Sequence, residues 1–148
     1  MAGARVLIVD DEAGIRELCR VNLELAGYDV IEASDGFQAL ERARNDHPDV
    51  IFLDVLMPGM SGWEVLESLL TDDGTKHIPV VMLTALNSED DQLRAWEGGV
   101  IDYLTKPFNP LALADWAETA LAPRDPAAEE ARRQRAVATV SMVRALRK

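Results

Sequence analysis

Asp10-Asp11, Asp54, Thr84 and Lys106 each stand at the end of an apolar run: Val6-Leu7-Ile8-Val9, Val50-Ile51-Phe52-Leu53, Val80-Val81-Met82-Leu83, and Ile101 to Thr105. If these runs are strands of one open parallel sheet, the residues just past their carboxyl ends share a crevice. Three carboxylates, a hydroxyl and an ammonium then converge. Two like charges about 5 Å apart at an effective dielectric of about 20 repel by roughly 3 kcal/mol, and three carboxylates contain three such pairs. The cluster must take up protons or bind a cation. Lys106 can balance one charge, which leaves a demand for a divalent ion. All the candidate ligands are hard oxygens, with no His or further Cys in the pattern, so Mg²⁺, with Mn²⁺ as a substitute, is favoured over zinc. A carboxylate beside a metal ion, a lysine and a hydroxyl can attack a phosphoryl group and hold it as an aspartyl phosphate. During transfer the metal and Lys106 would neutralise the equatorial oxygens. Asp54 stands alone after the middle run and is the best candidate nucleophile.

The elements that must position these groups are readable in outline. The runs at 6–9, 50–53 and 80–83 lack alternation, which is the pattern of strands buried on both faces of a parallel sheet. Weaker strands fit at 29–33 and 101–104. Helical patterns alternate with them at 12–26, 36–45, 62–70, 88–98 and 110–122. Gly27 stops the first helix, Ser88 can cap the fourth with Asp91 three residues on, and Gly98-Gly99 closes it. Right-handed crossovers then place helices on both faces of a doubly wound α/β sheet. Pro123-Arg124-Asp125-Pro126 ends the last helix in a stiff joint. Residues 127–148 are alanine-rich without Gly or Pro and predict a further helix, with Val140, Val143 and Leu146 near one face and Ala136 behind them.

With 148 residues, 48% hydrophobic and 28% charged, the chain fits one soluble domain with a short remainder. No apolar run approaches membrane-spanning length, and Met1 leads almost directly into a strand, so the expected compartment is the cytoplasm. The single Cys19 cannot form an internal disulfide, and its helical spacing with Ile15, Leu18 and Leu25 predicts a small core hydrophobe. The net charge of −11 is unevenly spread: residues 1–123 carry −15 and residues 124–148 carry +4. The acidic body would repel a phosphate backbone, so direct nucleic-acid binding is not expected.

The motifs VDDE at 9–12, LDVLMPGMSG at 53–62, VVMLTA at 80–85 and DYLTKPF at 102–108, in this order and spacing, resemble the receiver domain of two-component response regulators, the CheY-like family. The similarity covers about residues 4–122. It implies a (βα)5 fold with five parallel strands in the flavodoxin-like order 2-1-3-4-5, here with an extra C-terminal helix. It also implies Asp54 as phosphoacceptor and a Mg²⁺ site in which Asp11, Asp54 and the backbone carbonyl of Leu56 are direct ligands and Asp10 acts through water. Thr84 resembles the switch hydroxyl, Tyr103 the aromatic that moves with it, and Lys106 the phosphate-contacting lysine, followed by Pro107 after a commonly cis bond. Leu56 occupies a position that helps tune phosphoryl hydrolysis. The implied partners are a sensor histidine kinase or phosphotransfer protein, and a downstream protein on the face of the fourth helix, fifth strand and fifth helix. The domain would catalyse only its own phosphorylation and dephosphorylation.

Taken singly, Asp10-Asp11 could be a solvated helix start favoured by the helix dipole, Asp54 a loop acid, Thr84 a helix-entry hydroxyl and Lys106 a surface lysine. Their joint placement at four strand ends argues against four accidents. Trp96 and Trp116, with Tyr103, would enrich the signalling face if exposed; the alternative is inward packing. Trp63 is expected to pack at the start of the third helix. The tail is too short for a winged-helix or helix-turn-helix domain, and the preferred reading is a helix docked on the acidic body or pairing with a second chain. An aspartyl phosphohydrolase would place its second acid two residues after the nucleophile on the first strand and carry a cap insertion. Glu12 follows Asp10 at that spacing, but no Gly-Thr follows it and no cap insertion is present. A phosphorylation-independent scaffold is opposed by the intact Asp54, Thr84 and Lys106, and dinucleotide binding by the lack of a Gly-x-Gly-x-x-Gly after the first strand.

Overall fold

Uninterrupted apolar sequence produces the centre of the sheet. Strands β1 (Arg5–Val9), β3 (Val50–Asp54) and β4 (Val80–Thr84) are buried almost throughout, whereas the edge strands β2 (Asp29–Ala33) and β5 (Asp102–Thr105) are mixed. The computed structural model describes residues 3–86, 88–123 and 125–146. All four strand pairings are parallel and the order is β2-β1-β3-β4-β5. This is the doubly wound flavodoxin-like fold.

Side chains alternate across the sheet, and each face has its own core. Leu7, Val9, Ile51, Leu53 and Met82 pack under α2 (Gly36–Asp46), α3 (Gly62–Thr71) and α4 (Glu89–Glu97). Val6, Ile8, Phe52, Val81 and Leu83 pack under α1 (Ala13–Leu25) and α5 (Leu113–Leu121). Cys19 lies in the second core, fully buried, with its thiol pushed up to about 12 mainly by burial; it is an inert core residue.

Local chemistry fixes the helix starts. Asp35, Ser61 and Ser88 each accept a hydrogen bond from the amide three residues on, leaving fewer orphan donors in the first turn. Gly27 follows α1 at φ +95°, in the left-handed region that favours glycine. Differences from the sequence reading are mostly at boundaries. Asp54 and Thr84 are the last residues of their strands rather than the first beyond them. The fifth helix is preceded by a 3-10 turn over Pro110–Ala112, with Asn109 accepting from the Leu111 amide.

The tail forms α6 (Pro126–Leu146), which packs along α4 in the opposite direction. Arg132 near its start meets Asp102 and sits over Trp96, while Arg144 near its end meets Asp90 at the start of α4. Of the expected Val140-Val143-Leu146 stripe only Val140 is half-buried. Val143 and Leu146 are exposed, and no described residue of α6 is buried. Val137 and Val140 are half-buried on the same helical face as Arg133 and Arg144, so the side of α6 turned to the body is mixed apolar and basic. Arg124 of the expected joint, and Arg147 and Lys148 of the expected helix, lie outside the described residues, as does Met1.

Candidate functional site

β1 and β3 are neighbours in the sheet and end side by side, so their terminal carboxylates enter the same space. Asp10 follows β1 and is fully buried; Asp54 closes β3 and is 2% exposed. Asp10 is held on every side. One carboxylate oxygen accepts from the Glu12 amide at 2.9 Å, and the other from Lys106 Nζ at 2.6 Å. Its carbonyl accepts from Arg16 Nη1 at 2.7 Å, and Arg16 is in turn paired with Glu32 of β2 at 3.2 Å. Asp54 accepts from the Leu56 amide at 3.2 Å through Oδ1, and its Oδ2 lies 3.4 Å from the same Lys106 Nζ. One ammonium therefore bridges two buried carboxylates.

Lys106 reaches this position because its own amide donates to the Thr84 carbonyl at 2.8 Å, extending the β4–β5 ladder by one residue. A cis Lys106-Pro107 bond follows. Thr84 is fully buried, and its Oγ1 accepts from the Leu86 amide at 3.1 Å. The Tyr103 hydroxyl donates to the Leu86 carbonyl, so the ring is tied to the loop that leaves Thr84. α3 starts unusually close to β3. A Cβ on Gly62 would lie 2.3 Å from the Asp54 carbonyl oxygen and 2.6 Å from Val55 Cα, so only glycine fits there.

The electrostatics follow from burial. Burial first, and the Asp10 charge second, push the Asp54 carboxyl up to about 6, while Lys106 and the Leu56 amide pull it the other way. Burial would lower the Lys106 pKa, but the hydrogen bond to Asp10 and the charges of Asp54 and Asp10 hold it above its ordinary value. Asp11 and Glu12 are exposed at the mouth, and their carboxylate oxygens can lie within 4.8 Å of each other and of an Asp10 oxygen. This donor set is all hard oxygen and fits a small divalent cation, whose charge would also relieve the ionised Asp54.

Asp10 and Asp54 meet at Lys106, with Thr84 buried at the end of the neighbouring strand, Asp11 at the rim and Leu56 exposed beside Asp54. The three aromatics do not form an open platform. Trp96 and Tyr103 are half-buried against one core and Trp116 against the other, and Arg132 of α6 sits 5.7 Å from the Trp96 ring centroid. Trp63 packs at the start of α3 with the Arg94 guanidinium 4.5 Å from its ring centroid. Sequence reasoning missed Arg16 and Glu32, which fix the Asp10 backbone, and Glu12 as a possible ligand. Glu12 carried a signal, since it completes the acidic run. Arg16 carried almost none, because its role depends on β2 lying beside β1.

The profile of the response regulator receiver domain matches residues 6–118. The chain belongs to this family. It is 44% identical over 131 residues to the phosphate regulon transcriptional regulatory protein PhoB of Pseudomonas aeruginosa, covering 88% of this chain and 57% of that protein. It is 47% identical over 111 residues to the response regulator PleD of Caulobacter vibrioides, covering 74% of this chain and 24% of that one. The chain thus spans roughly a quarter to a little over half the length of these relatives. Among solved structures, the chemotaxis response regulator CheY4 of Vibrio cholerae superposes with a TM-score of 0.75 at 37% identity, covering 81% of this chain and all of that one. Response regulators are signalling proteins, and their receiver domains typically bind Mg²⁺ in an acidic pocket. Among the described residues, no helix is long and apolar enough to cross a membrane.

Proposed function

We propose that this protein is a cytoplasmic phosphorylation-activated switch of a two-component system, with Asp54 as the residue that accepts the phosphoryl group. The observation that carries this reading is the shared ammonium: Lys106 Nζ lies 2.6 Å from Asp10 and 3.4 Å from Asp54 at the ends of the two central strands. A carboxylate oxygen of Asp54 attacks the phosphorus of a phosphohistidine on a histidine kinase or phosphotransfer protein. The new O–P bond forms as the P–N bond breaks, and the imidazole nitrogen keeps the electron pair and takes a proton. Lys106 remains protonated and faces the transferred oxygens. Asp11, Asp54 and the Leu56 carbonyl would hold Mg²⁺ with Asp10 behind them, and the bound ion would supply charge neutralisation for the phosphoryl oxygens.

A phosphoryl group on Asp54 offers the Thr84 hydroxyl proton an acceptor, and rotation of the side chain toward it would carry Oγ1 away from the Leu86 amide that now donates to it. The resulting change passes through Tyr103 to a downstream protein at the α4-β5-α5 face, a two-state equilibrium biased by a covalent charge. Residues 1–122 act as the receiver, 123–126 as the joint and 127–148 as a helical extension. The chain changes only its own aspartate and no outside substrate. Intact-mass measurement after incubation with acetyl phosphate tests the reading. A Mg²⁺-dependent phosphoryl adduct is expected on the wild type and none on Asp54→Asn. A wild type without the adduct would overturn the switch and leave a receiver-fold interaction scaffold.

A further inference from the structure

We infer that Arg16 is a positioning residue for cation capture: it clamps the peptide that joins Asp10 to Asp11 and so fixes how the acidic pair is presented to a divalent ion. The inference rests on the proposed cation site and adds a residue to it. All four polar atoms of Asp10 are engaged. Its amide donates to the Ala33 carbonyl of β2 at 3.2 Å, one carboxylate oxygen accepts from the Glu12 amide and the other from Lys106, and its carbonyl accepts from Arg16 Nη1 at 2.7 Å. The first three contacts hold Asp10 itself. The fourth also acts on its neighbour, because the Asp10 carbonyl and the Asp11 amide belong to one planar unit. With the carbonyl clamped that plane cannot turn, which keeps the exposed Asp11 carboxylate within reach of an Asp10 oxygen.

The clamp is anchored from outside the turn. α1 begins at Ala13 without a side-chain cap, so little local chemistry fixes its start against β1. Arg16, one turn into α1, reaches back to Asp10, and its Nε donates to Glu32 Oε1 at 3.2 Å. Glu32 lies on β2 beside Ile8 of β1, and its other oxygen accepts from Arg20. The guanidinium fork thus bridges a carbonyl and a carboxylate that belong to different elements, a geometry that a single ammonium does not reproduce. The Arg16 side chain is 17% exposed and that of Glu32 28%, so water competes weakly for the fork. Charge and positioning make opposite demands here. A cation beside a cation site is unfavourable by Coulomb's law, so charge alone predicts that losing Arg16 tightens ion binding. The clamp predicts the reverse, because a freed turn must be ordered by the ion itself, and outer-shell partners of metal ligands are typically worth about 10–100-fold in affinity.

Titration of the full chain with Mn²⁺, following the free ion by electron paramagnetic resonance, measures this without any turnover. Arg16→Met, which keeps most of the stem, should raise the Mn²⁺ Kd about tenfold or more. Arg16→Lys keeps the charge but not the fork and should recover only part of that loss. Glu32→Gln should weaken binding in the wild type but change it by less than about twofold when added to Arg16→Met, because Glu32 acts through Arg16; an undiminished effect there overturns its role as anchor. With acetyl phosphate, the Mg²⁺ concentration for half-maximal phosphorylation of Asp54 should rise in parallel in Arg16→Met, while the rate at saturating Mg²⁺ stays near that of the wild type. A Mn²⁺ Kd in Arg16→Met equal to or below that of the wild type overturns the inference and leaves the cation site standing. A wild type that binds no Mn²⁺ overturns the cation site and the inference with it. Should Arg16→Met fail to fold, Arg16→Lys decides, and a Kd equal to that of the wild type overturns the clamp.

Discussion

The crevice at the strand ends and the α4–α6 layer use the same chemistry, a basic side chain against carboxylates, with opposite solvent exposure. In the crevice Asp10 and Asp54 are buried and the Lys106 side chain is 15% exposed. In the layer the Asp90 side chain is 84% exposed and Arg144 38%. Burial strengthens a charge interaction and raises the cost of losing one partner, whereas an exposed pair is screened and weak. The crevice is therefore a fixed, frustrated charge cluster suited to chemistry. The layer is a loose contact suited to exchange.

Four substitutions break or sharpen this contrast. Lys106→Met should have the largest effect, about 3–5 kcal/mol of lost stability at pH 7, because it strands two buried carboxylates. Urea unfolding in the absence of divalent ions measures it, and a loss no bigger than that of a surface pair would erase the distinction. Asp54→Asn should act in the opposite direction. The folded carboxyl titrates at about 6 against 3.8 for the ordinary group, so ionised Asp54 destabilises the fold by an amount on the order of 2–3 kcal/mol at pH 7. Folding favours its protonated form, so its contribution to stability declines from about pH 4 to about pH 6 and is flat above. The stability gain of Asp54→Asn over wild type should grow across that window; a gain independent of pH would point to packing instead.

Ser88→Ala removes the cap of α4, where the Ser88 hydroxyl accepts from the Asp91 amide at 3.1 Å. It should cost about 1 kcal/mol, or show as local loosening of α4 by hydrogen exchange if α4 unfolds separately from the core. Arg144→Ala should have the smallest effect, below about 0.5 kcal/mol in global unfolding and smaller still at high salt. A larger cost would mean that the α6 contact is a structural part of the domain.

Much of the site was legible because its residues are tied to strand ends. Asp10, Asp54, Thr84 and Lys106 follow or close apolar runs, and in a parallel sheet all such ends lie along one edge. Arg16 and Glu32 were not legible, since their pairing depends on which strand flanks β1. The aromatic residues were legible only as candidates. Whether Trp96 faces solvent depends on what lies over α4, and Arg132, from a segment thirty-six residues later, supplies that cover.

By itself the sequence determined the βα alternation, the two-faced burial of β1, β3 and β4, and the cap at Ser88, since apolar pattern and local hydrogen bonding act over a few residues. It also determined which charges would be at the strand ends. Only the tertiary structure decided that one ammonium serves two carboxylates, that Arg16 locks the Asp10 backbone, and that Arg132 and Arg144 of α6 find acids on β5 and α4. These outcomes depend on distances between segments remote in the chain, where Coulomb and desolvation terms change steeply with position and no local pattern records them.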